Sequence, residues 1–114
     1  MDAGRVIPEN PLDFIRSCVR ERKLLWTYHV QMRLAGRSVP RTVILDLADD
    51  AEVIESYPDD KYLPSYLVLT THSGVVFHIL FAADVPGGNV RIVTAYRPDP
   101  NEWEPDLRTR RRIP

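Results

Sequence analysis

Several features that are common in proteins are scarce or missing in this sequence. Only one of the 114 residues, Cys18, is a cysteine, so an internal disulfide is excluded and a thiolate metal site lacks a second soft ligand. No apolar run approaches the ~20 residues that a membrane-spanning helix needs, and the N-terminus carries no apolar signal-peptide core. We therefore expect a cytoplasmic protein with no membrane association, in which Cys18 is a small buried residue on a helix.

The common catalytic signatures are also absent. The sequence contains no glycine-rich phosphate loop, no GxSxG, no HExxH and no paired CxxC. Three histidines, His29, His72 and His78, have no spacing that is diagnostic of a metal site. We therefore predict that the protein uses no metal and no cofactor.

What is present is typical of one folded domain spanning residues 1–114, with 44% hydrophobic and 27% charged residues. The net charge of −1 hides an uneven distribution: residues 1–45 carry eight basic and four acidic side chains, and residues 46–60 carry seven acidic and no basic ones. Four arginines follow near the C-terminus. These basic segments could meet a nucleic acid, or the tail could be an ordinary solvated terminus.

The stretch from Val75 to Arg97 predicts a central β-hairpin, because two apolar runs flank the turn sequence VPGGN. A loop centred on Gly87 places Ala82 opposite Ile92, Leu80 opposite Thr94 and His78 opposite Tyr96. Alternation then puts His78, Thr94 and Tyr96 on one face. The apolar residues of the hairpin fall on the other face: Phe77, Ile79, Phe81, Val93 and Ala95.

Helix signals precede the hairpin. Asn10 followed by Pro11 predicts a capped helix over residues 10–22. A second helix begins at Thr27 and ends at Gly36 in a left-handed conformation. A third begins near Pro40 and ends at Asp49-Asp50.

Strands follow over residues 52–57 and 65–71, with a tight turn at Ser73-Gly74 that pairs Leu69 with His78. Short connections favour antiparallel pairing. The predicted fold class is therefore α+β, with N-terminal helices packed on one face of a four-stranded antiparallel meander.

The polar residues that the pattern brings together are those of a metal-free ribonuclease. His29 and Arg33 share one face of the second helix, and His78, Thr94 and Tyr96 share one face of the sheet. RNA cleavage by the 2′-hydroxyl needs a base, an acid and a cation, and histidine and arginine suit those roles. The alternative is that these side chains are structural hydrogen-bonding groups and favoured strand residues.

Several motifs resemble a family of small, uncharacterised bacterial domains. The shared features are a histidine–arginine helix (TYHVQMRLAGR), an acidic strand (EVIESYPDD), the strand SYLVL and an ending of the form T-x-Y-x-P-D-P-x-x-W (TAYRPDPNEW). The resemblance covers residues 27–112 and leaves residues 1–26 as an N-terminal lead-in and helix.

That family resembles the BrnT and RelE toxins of the barnase-like ribonuclease fold. The resemblance implies a type II toxin–antitoxin endoribonuclease that binds RNA and has a cognate antitoxin encoded nearby. The residues implied as catalytic are His29, Arg33, Thr94 and Tyr96, together with His78 on the register argument. The residues implied as RNA-binding are Arg97, Arg110 and Arg111.

Two other readings stay open. One is a non-catalytic protein-binding domain that retains the fold and uses the sheet face, an exposed edge or the acidic segment from Asp46 to Asp60. The other is a homo-oligomer that forms through an edge strand.

Overall fold

The computed structural model describes residues 5–112, in which helices cover one side of a five-stranded sheet. The elements in chain order are α1 Pro11–Arg20, β1 Leu24–Leu25, α2 Tyr28–Gly36, α3 Thr42–Leu45, β2 Glu52–Tyr57, β3 Ser65–His72, β4 Val75–Asp84 and β5 Asn89–Tyr96. The chain is α+β, as the sequence predicted.

The predicted helix starts are confirmed by their caps. The Asn10 side chain accepts a hydrogen bond from the Asp13 amide at 3.1 Å, and the Thr27 hydroxyl accepts one from the Val30 amide at 3.0 Å. These bonds satisfy amides that have no partner within the helix.

The predicted end of the second helix is confirmed in position but not in conformation, and the predicted end of the third helix is wrong. α2 ends at Gly36, and the left-handed residue that follows the helix is Ser38, with φ of 56°. The third helix ends at Leu45, before Asp49-Asp50, although Leu47 beyond its end still packs against the core.

The predicted four-stranded antiparallel sheet is also wrong. The strand order is β1-β5-β4-β3-β2, and β1 pairs with β5 in parallel, so the sheet is mixed. A two-residue strand is too short to produce a periodic pattern, so the sequence gives no signal for it. The acidic strand β2 lies at the opposite edge of the sheet.

The central hairpin has nearly the predicted register. The pairs Leu80–Thr94, His78–Tyr96 and Leu69–His78 are confirmed. A β-bulge between Leu80 and Phe81 then shifts β5, so that Phe81 pairs with Ile92 and Ala82 pairs with Arg91.

The bulge changes the face of one residue. Val93, predicted on the apolar face, is 42% exposed, and Ile92 is buried in its stead. A bulge inserts one extra residue into a strand, which is why strict alternation fails at this point.

The two faces of the sheet pack against different parts of the chain. On the helix side, apolar residues of β3, β4 and β5 pack against buried residues of α1, α2 and α3, Cys18 among them. The other face carries three aligned rows of side chains. They are Glu52–Leu69–His78–Tyr96, Glu55–Leu67–Leu80–Thr94 and Tyr57–Ser65–Ala82–Arg91. The C-terminal segment, residues 99–112, crosses the first of these rows.

Candidate functional site

A row of three cationic or titratable side chains follows one side of α2. His29, Arg33 and Arg37 recur every four residues, the spacing that stacks side chains on one helix face. His29 and Arg33 are exposed, and the row extends ~12 Å along the helix axis. Val30 and Leu34 are buried and fix the rotation of α2, so the row stays at the surface.

Arg37 joins this row to the last strand of the sheet. Its Nη1 donates to the Thr94 hydroxyl at 2.8 Å and to the Ala95 carbonyl at 3.2 Å. The C-terminal end of α2 is therefore bonded to the strand that carries Thr94 and Tyr96. Sequence reasoning missed Arg37, although its position one turn beyond Arg33 was a signal for it.

A hollow of about 380 Å³, called the arginine hollow below, opens beside Arg37. Its lining combines three arginines, two aromatic rings and two carboxylates: Arg37, Arg97, Arg110, Tyr96, Trp103, Asp99 and Glu102. Arginine forks and aromatic rings are the side chains that bind phosphate and stack on bases.

His78 is buried rather than exposed in this hollow. Its relative exposure is 0%, and both ring nitrogens have partners. Nε2 lies 2.7 Å from the Leu107 carbonyl, and Nδ1 lies 3.4 Å from the Tyr96 hydroxyl. Because a carbonyl only accepts, Nε2 carries the proton and Nδ1 accepts from the tyrosine.

The surroundings of His78 keep it neutral. The Trp103 ring packs edge-on against it, with centroids 4.4 Å apart. Burial lowers the pKa of His78, and the hydrogen bond to Leu107 only partly opposes this. The buried ring does not lie in a solvent-accessible site beside His29 and Arg33, as a catalytic role for it would require. Its contacts are those of a structural hydrogen-bonding residue, which is the alternative interpretation of these side chains.

Tyr96 connects the buried histidine to the surface. It is partly buried and borders the arginine hollow, and burial raises the pKa of its hydroxyl. The hydroxyl is therefore protonated near neutral pH and can donate. Its bond to His78 fixes the ring at the edge of the hollow.

The tail arginines predicted to bind RNA are largely engaged by carboxylates. Arg110 binds both oxygens of Glu55, at 2.9 and 3.2 Å, and its guanidinium lies over the Trp103 ring. Arg111 lies 3.3 Å from Glu104. Arg97 lines the arginine hollow and is exposed.

The carboxylate partners of the tail were not predicted. Glu52 binds Arg108, and Glu55 binds Arg110. Burial opposes ionisation of Glu55 most strongly, but the hydrogen bonds from Arg110 and Tyr57 and the charge of Arg110 together outweigh it and lower the pKa of this carboxyl. The alternating acids of β2 were visible in the sequence, yet nothing in it paired them with residues more than fifty positions later.

Within residues 5–112, no group of three or more histidine, cysteine or acidic side chains is placed to hold a metal ion. In the same part of the chain, no helix has the length and apolar character needed to cross a membrane.

The site can be compared with known families. The profile of a family described as a domain of unknown function, DUF4258, matches residues 26–97. The chain belongs to this family. The DUF4258 match spans α2 to β5, so it includes His29, Arg33, His78 and Tyr96, and it leaves out α1 and the C-terminal segment. Searches of curated proteins and of solved structures found no match.

The arrangement of this DUF4258 chain thus separates the predicted residues into two groups. His29 and Arg33 lie on α2, and Thr94, Tyr96 and Arg97 lie at or next to the end of β5 that Arg37 bonds. His78 supports Tyr96 from below, and Arg110 and Arg111 are held in ion pairs.

Proposed function

We propose that this protein is a toxin-like endoribonuclease of the type II toxin–antitoxin class, acting in the cytoplasm without a metal and built on a RelE/BrnT-like fold. One observation carries the proposal. Arg37, one turn beyond Arg33, bonds Thr94 and Ala95 and so connects the end of the His29–Arg33 row of α2 to the Tyr96 end of β5. The resemblance to ribonuclease toxins supports the same reading.

The chemistry follows from these groups. His29 takes the proton of the RNA 2′-hydroxyl, the 2′-oxygen attacks the adjacent phosphorus, and the bond from phosphorus to the 5′-oxygen breaks. Arg33 and Arg37 bind the phosphate oxygens and stabilise the charge that develops there. The products are a 2′,3′-cyclic phosphate and a 5′-hydroxyl.

The departing 5′-oxygen takes its proton from solvent water, and Tyr96 offers its ring as a stacking surface for a base. The raised pKa of Tyr96 keeps its hydroxyl protonated near neutral pH, and the hydrogen bond to His78 holds the ring at the edge of the arginine hollow. In this mechanism His78 is a positioning residue, because its own ring is buried and fully bonded.

The test is RNA cleavage by the purified full-length chain in buffer with EDTA. We expect products with cyclic phosphate and 5′-hydroxyl ends, and a loss of at least a hundredfold in rate for His29→Ala and for Arg33→Ala. Matched controls are His72→Ala and Arg20→Ala, which change a histidine and an arginine elsewhere and should keep the wild-type rate.

Cleavage at the wild-type rate by both His29→Ala and Arg33→Ala would remove the α2 surface from the mechanism. Absence of cleavage and of growth arrest on induced expression would reject the nuclease function itself.

A second candidate is a non-catalytic domain that binds a protein partner. It is favoured by the sealed environment of His78 and by the ion pairs that occupy Arg108 and Arg110. A stable complex with a protein encoded nearby, formed by a chain that neither cleaves RNA nor arrests growth, would support this candidate. If growth arrest occurs and the neighbouring protein relieves it, that protein is the antitoxin.

A further inference from the structure

A second hollow, of about 360 Å³, lies on the sheet face opposite the helices and is called the sheet hollow below. Tyr96 and Arg110 separate it from the arginine hollow, because both residues line both. Its volume falls within the range of small-molecule sites. Its other lining residues are Tyr57, Asp60, Leu67, Leu80 and Thr94.

The floor of the sheet hollow is apolar and fixed by strand pairing. Leu67 and Leu80 are directly paired on β3 and β4, and Leu80 is paired in turn with Thr94 on β5. Side chains of directly paired residues lie side by side on one face. Leu67 is only 3% exposed, so the apolar surface that this row offers comes mainly from half-buried Leu80 and ends at the Thr94 hydroxyl.

The two aromatic rings of the sheet hollow are held in place by their hydroxyl groups. The Tyr57 hydroxyl donates to Glu55, and the Tyr96 hydroxyl donates to His78. Since both rings are fixed before a ligand arrives, a flat ligand can stack there with little loss of side-chain freedom.

Asp60 supplies hydrogen-bond acceptors at the border of the sheet hollow. One carboxylate oxygen accepts from the Ser65 hydroxyl at 2.6 Å, and the other accepts from the Lys61 amide at 3.1 Å. Each carboxylate oxygen can accept about two hydrogen bonds, so each retains capacity for one more. The bond from Ser65 lowers the pKa of Asp60, which keeps the group ionised near neutral pH.

We propose that the sheet hollow binds one base of the RNA substrate, with guanine preferred. Its apolar floor and fixed tyrosine rings suit a flat aromatic ring, and the two acceptor oxygens of Asp60 suit a base edge with two adjacent N–H donors. Guanine presents such an edge at N1 and N2, whereas adenine and cytosine each present a single amino group beside an acceptor. This inference rests on the proposed ribonuclease function, because it names the base beside the cleaved phosphate.

The position of the hollow agrees with that role. Tyr96 and Arg110 border both hollows, so the phosphate attached to a base in the sheet hollow can reach the arginine hollow. A purely apolar occupant, such as a leucine side chain of a peptide, would leave the accepting capacity of Asp60 unused. The pairing of an apolar floor with a carboxylate therefore favours a nucleobase over such a peptide.

The experiment is a titration of the full-length chain with GMP, AMP, CMP and UMP, followed by calorimetry and by two-dimensional NMR. We expect GMP to bind about tenfold more tightly than the other three, and the Leu80 and Leu67 methyl signals to shift on binding. Asp60→Asn should remove the preference for GMP and leave AMP binding unchanged. Asp59→Asn, at the neighbouring exposed position, is the matched control and should bind as wild type.

Asp60 also anchors Ser65, so a second variant covers the case in which Asp60→Asn fails to fold. Tyr57→Leu removes one ring and should weaken GMP binding about tenfold, because stacking on that ring is lost. Equal binding of all four nucleotides would overturn the guanine preference.

The outcomes separate this inference from the proposed function. RNA cleavage that continues with no nucleotide-induced shift at Leu67 or Leu80 would overturn the base site and leave the nuclease standing. GMP binding at these residues without any RNA cleavage would support the base site and reject the catalytic function.

Discussion

At the scale of single residues, two histidines with similar sequence contexts have opposite environments. His29 lies exposed on a helix, and His78 lies buried under Trp103 and Leu107 with both nitrogens bonded. Of the two, only His29 has a ring that solvent or a ligand can reach. The proton of His78 instead affects the stability of the fold.

The first prediction concerns the dependence of stability on pH. Burial lowers the pKa of folded His78 below its usual 6.5, so above pH 6.5 both states are neutral and its contribution is fully present. As the pH falls below 6.5, the unfolded chain takes up a proton that the folded chain resists. The free energy of unfolding should then decrease by up to about 1.4 kcal/mol per pH unit from this group.

Urea denaturation between pH 7.5 and about 5 measures this effect. The lower limit keeps Glu55 ionised, because its pKa lies below 4.5 in the folded chain. His78→Gln should be less stable at neutral pH but should show a weaker decrease over the same interval. Equal slopes for the two proteins would show that His78 is not the group responsible.

The second prediction concerns Trp103. It is 2% exposed, packs against the His78 ring and lies under the Arg110 guanidinium. Trp103→Ala should lower the free energy of unfolding by about 3–5 kcal/mol, because it leaves a cavity over the sheet. Tyr62→Ala, at a position that is 79% exposed, should change it by no more than about 0.5 kcal/mol. A small loss for Trp103→Ala would mean that the C-terminal segment does not stabilise the sheet face.

At the scale of elements, α2 determines where the proposed site lies. Its start is set by the Thr27 cap, its rotation by buried Val30 and Leu34, and its end by the bonds of Arg37 to β5. A change at either end of α2 should therefore affect the position of the His29–Arg33 row.

The third prediction tests the start of α2. Thr27→Ala removes the acceptor for the Val30 amide and should lower the free energy of unfolding by about 1 kcal/mol. Hydrogen exchange of the first α2 amides should become faster, since the helix end frays. Tyr28→Ala, at the adjacent exposed position, serves as the control and should leave that exchange unchanged.

The elements with a regular pattern were the ones the sequence could predict. The helix starts followed from Asn10 and Thr27, and the hairpin pairs of His78 and Leu80 followed from alternation about the turn. The predicted pairing near the turn was wrong because the bulge at Val93 adds a residue to β5. The bulge does not change the apolar pattern that predicts a strand.

The candidate site was predictable only in part, for reasons of distance along the chain. His29 and Arg33 follow from helical spacing, and the His78–Tyr96 pair follows from hairpin register. The hydrogen bond between Arg37 and Thr94 joins residues that lie 57 positions apart in the sequence, and no local periodicity predicts such a contact. The burial of His78 likewise depends on Trp103 and Leu107, which lie outside every strand.

At the scale of the whole molecule, the small net charge of −1 conceals a separation of charge. The cations of α2 and Arg97 lie on and beside the proposed RNA surface, whereas Arg108, Arg110 and Arg111 are bound to glutamates of β2 and the tail. A slightly acidic chain can therefore still present a basic surface, because the acids neutralise the tail rather than α2.

The fourth prediction concerns the dependence of RNA affinity on salt concentration, which follows from this separation of charge. Each arginine that binds an RNA phosphate displaces counterions, so the affinity for single-stranded RNA should fall with salt in proportion to the number of such contacts. Arg33→Ala should reduce the slope of log affinity against log salt by about 0.7, whereas Arg111→Ala should leave it unchanged because Arg111 is paired with Glu104. Fluorescence anisotropy of a labelled oligonucleotide at several salt concentrations measures both slopes. If Arg111→Ala lowers the slope and Arg33→Ala does not, RNA binds along the tail, and the α2 surface is not its site.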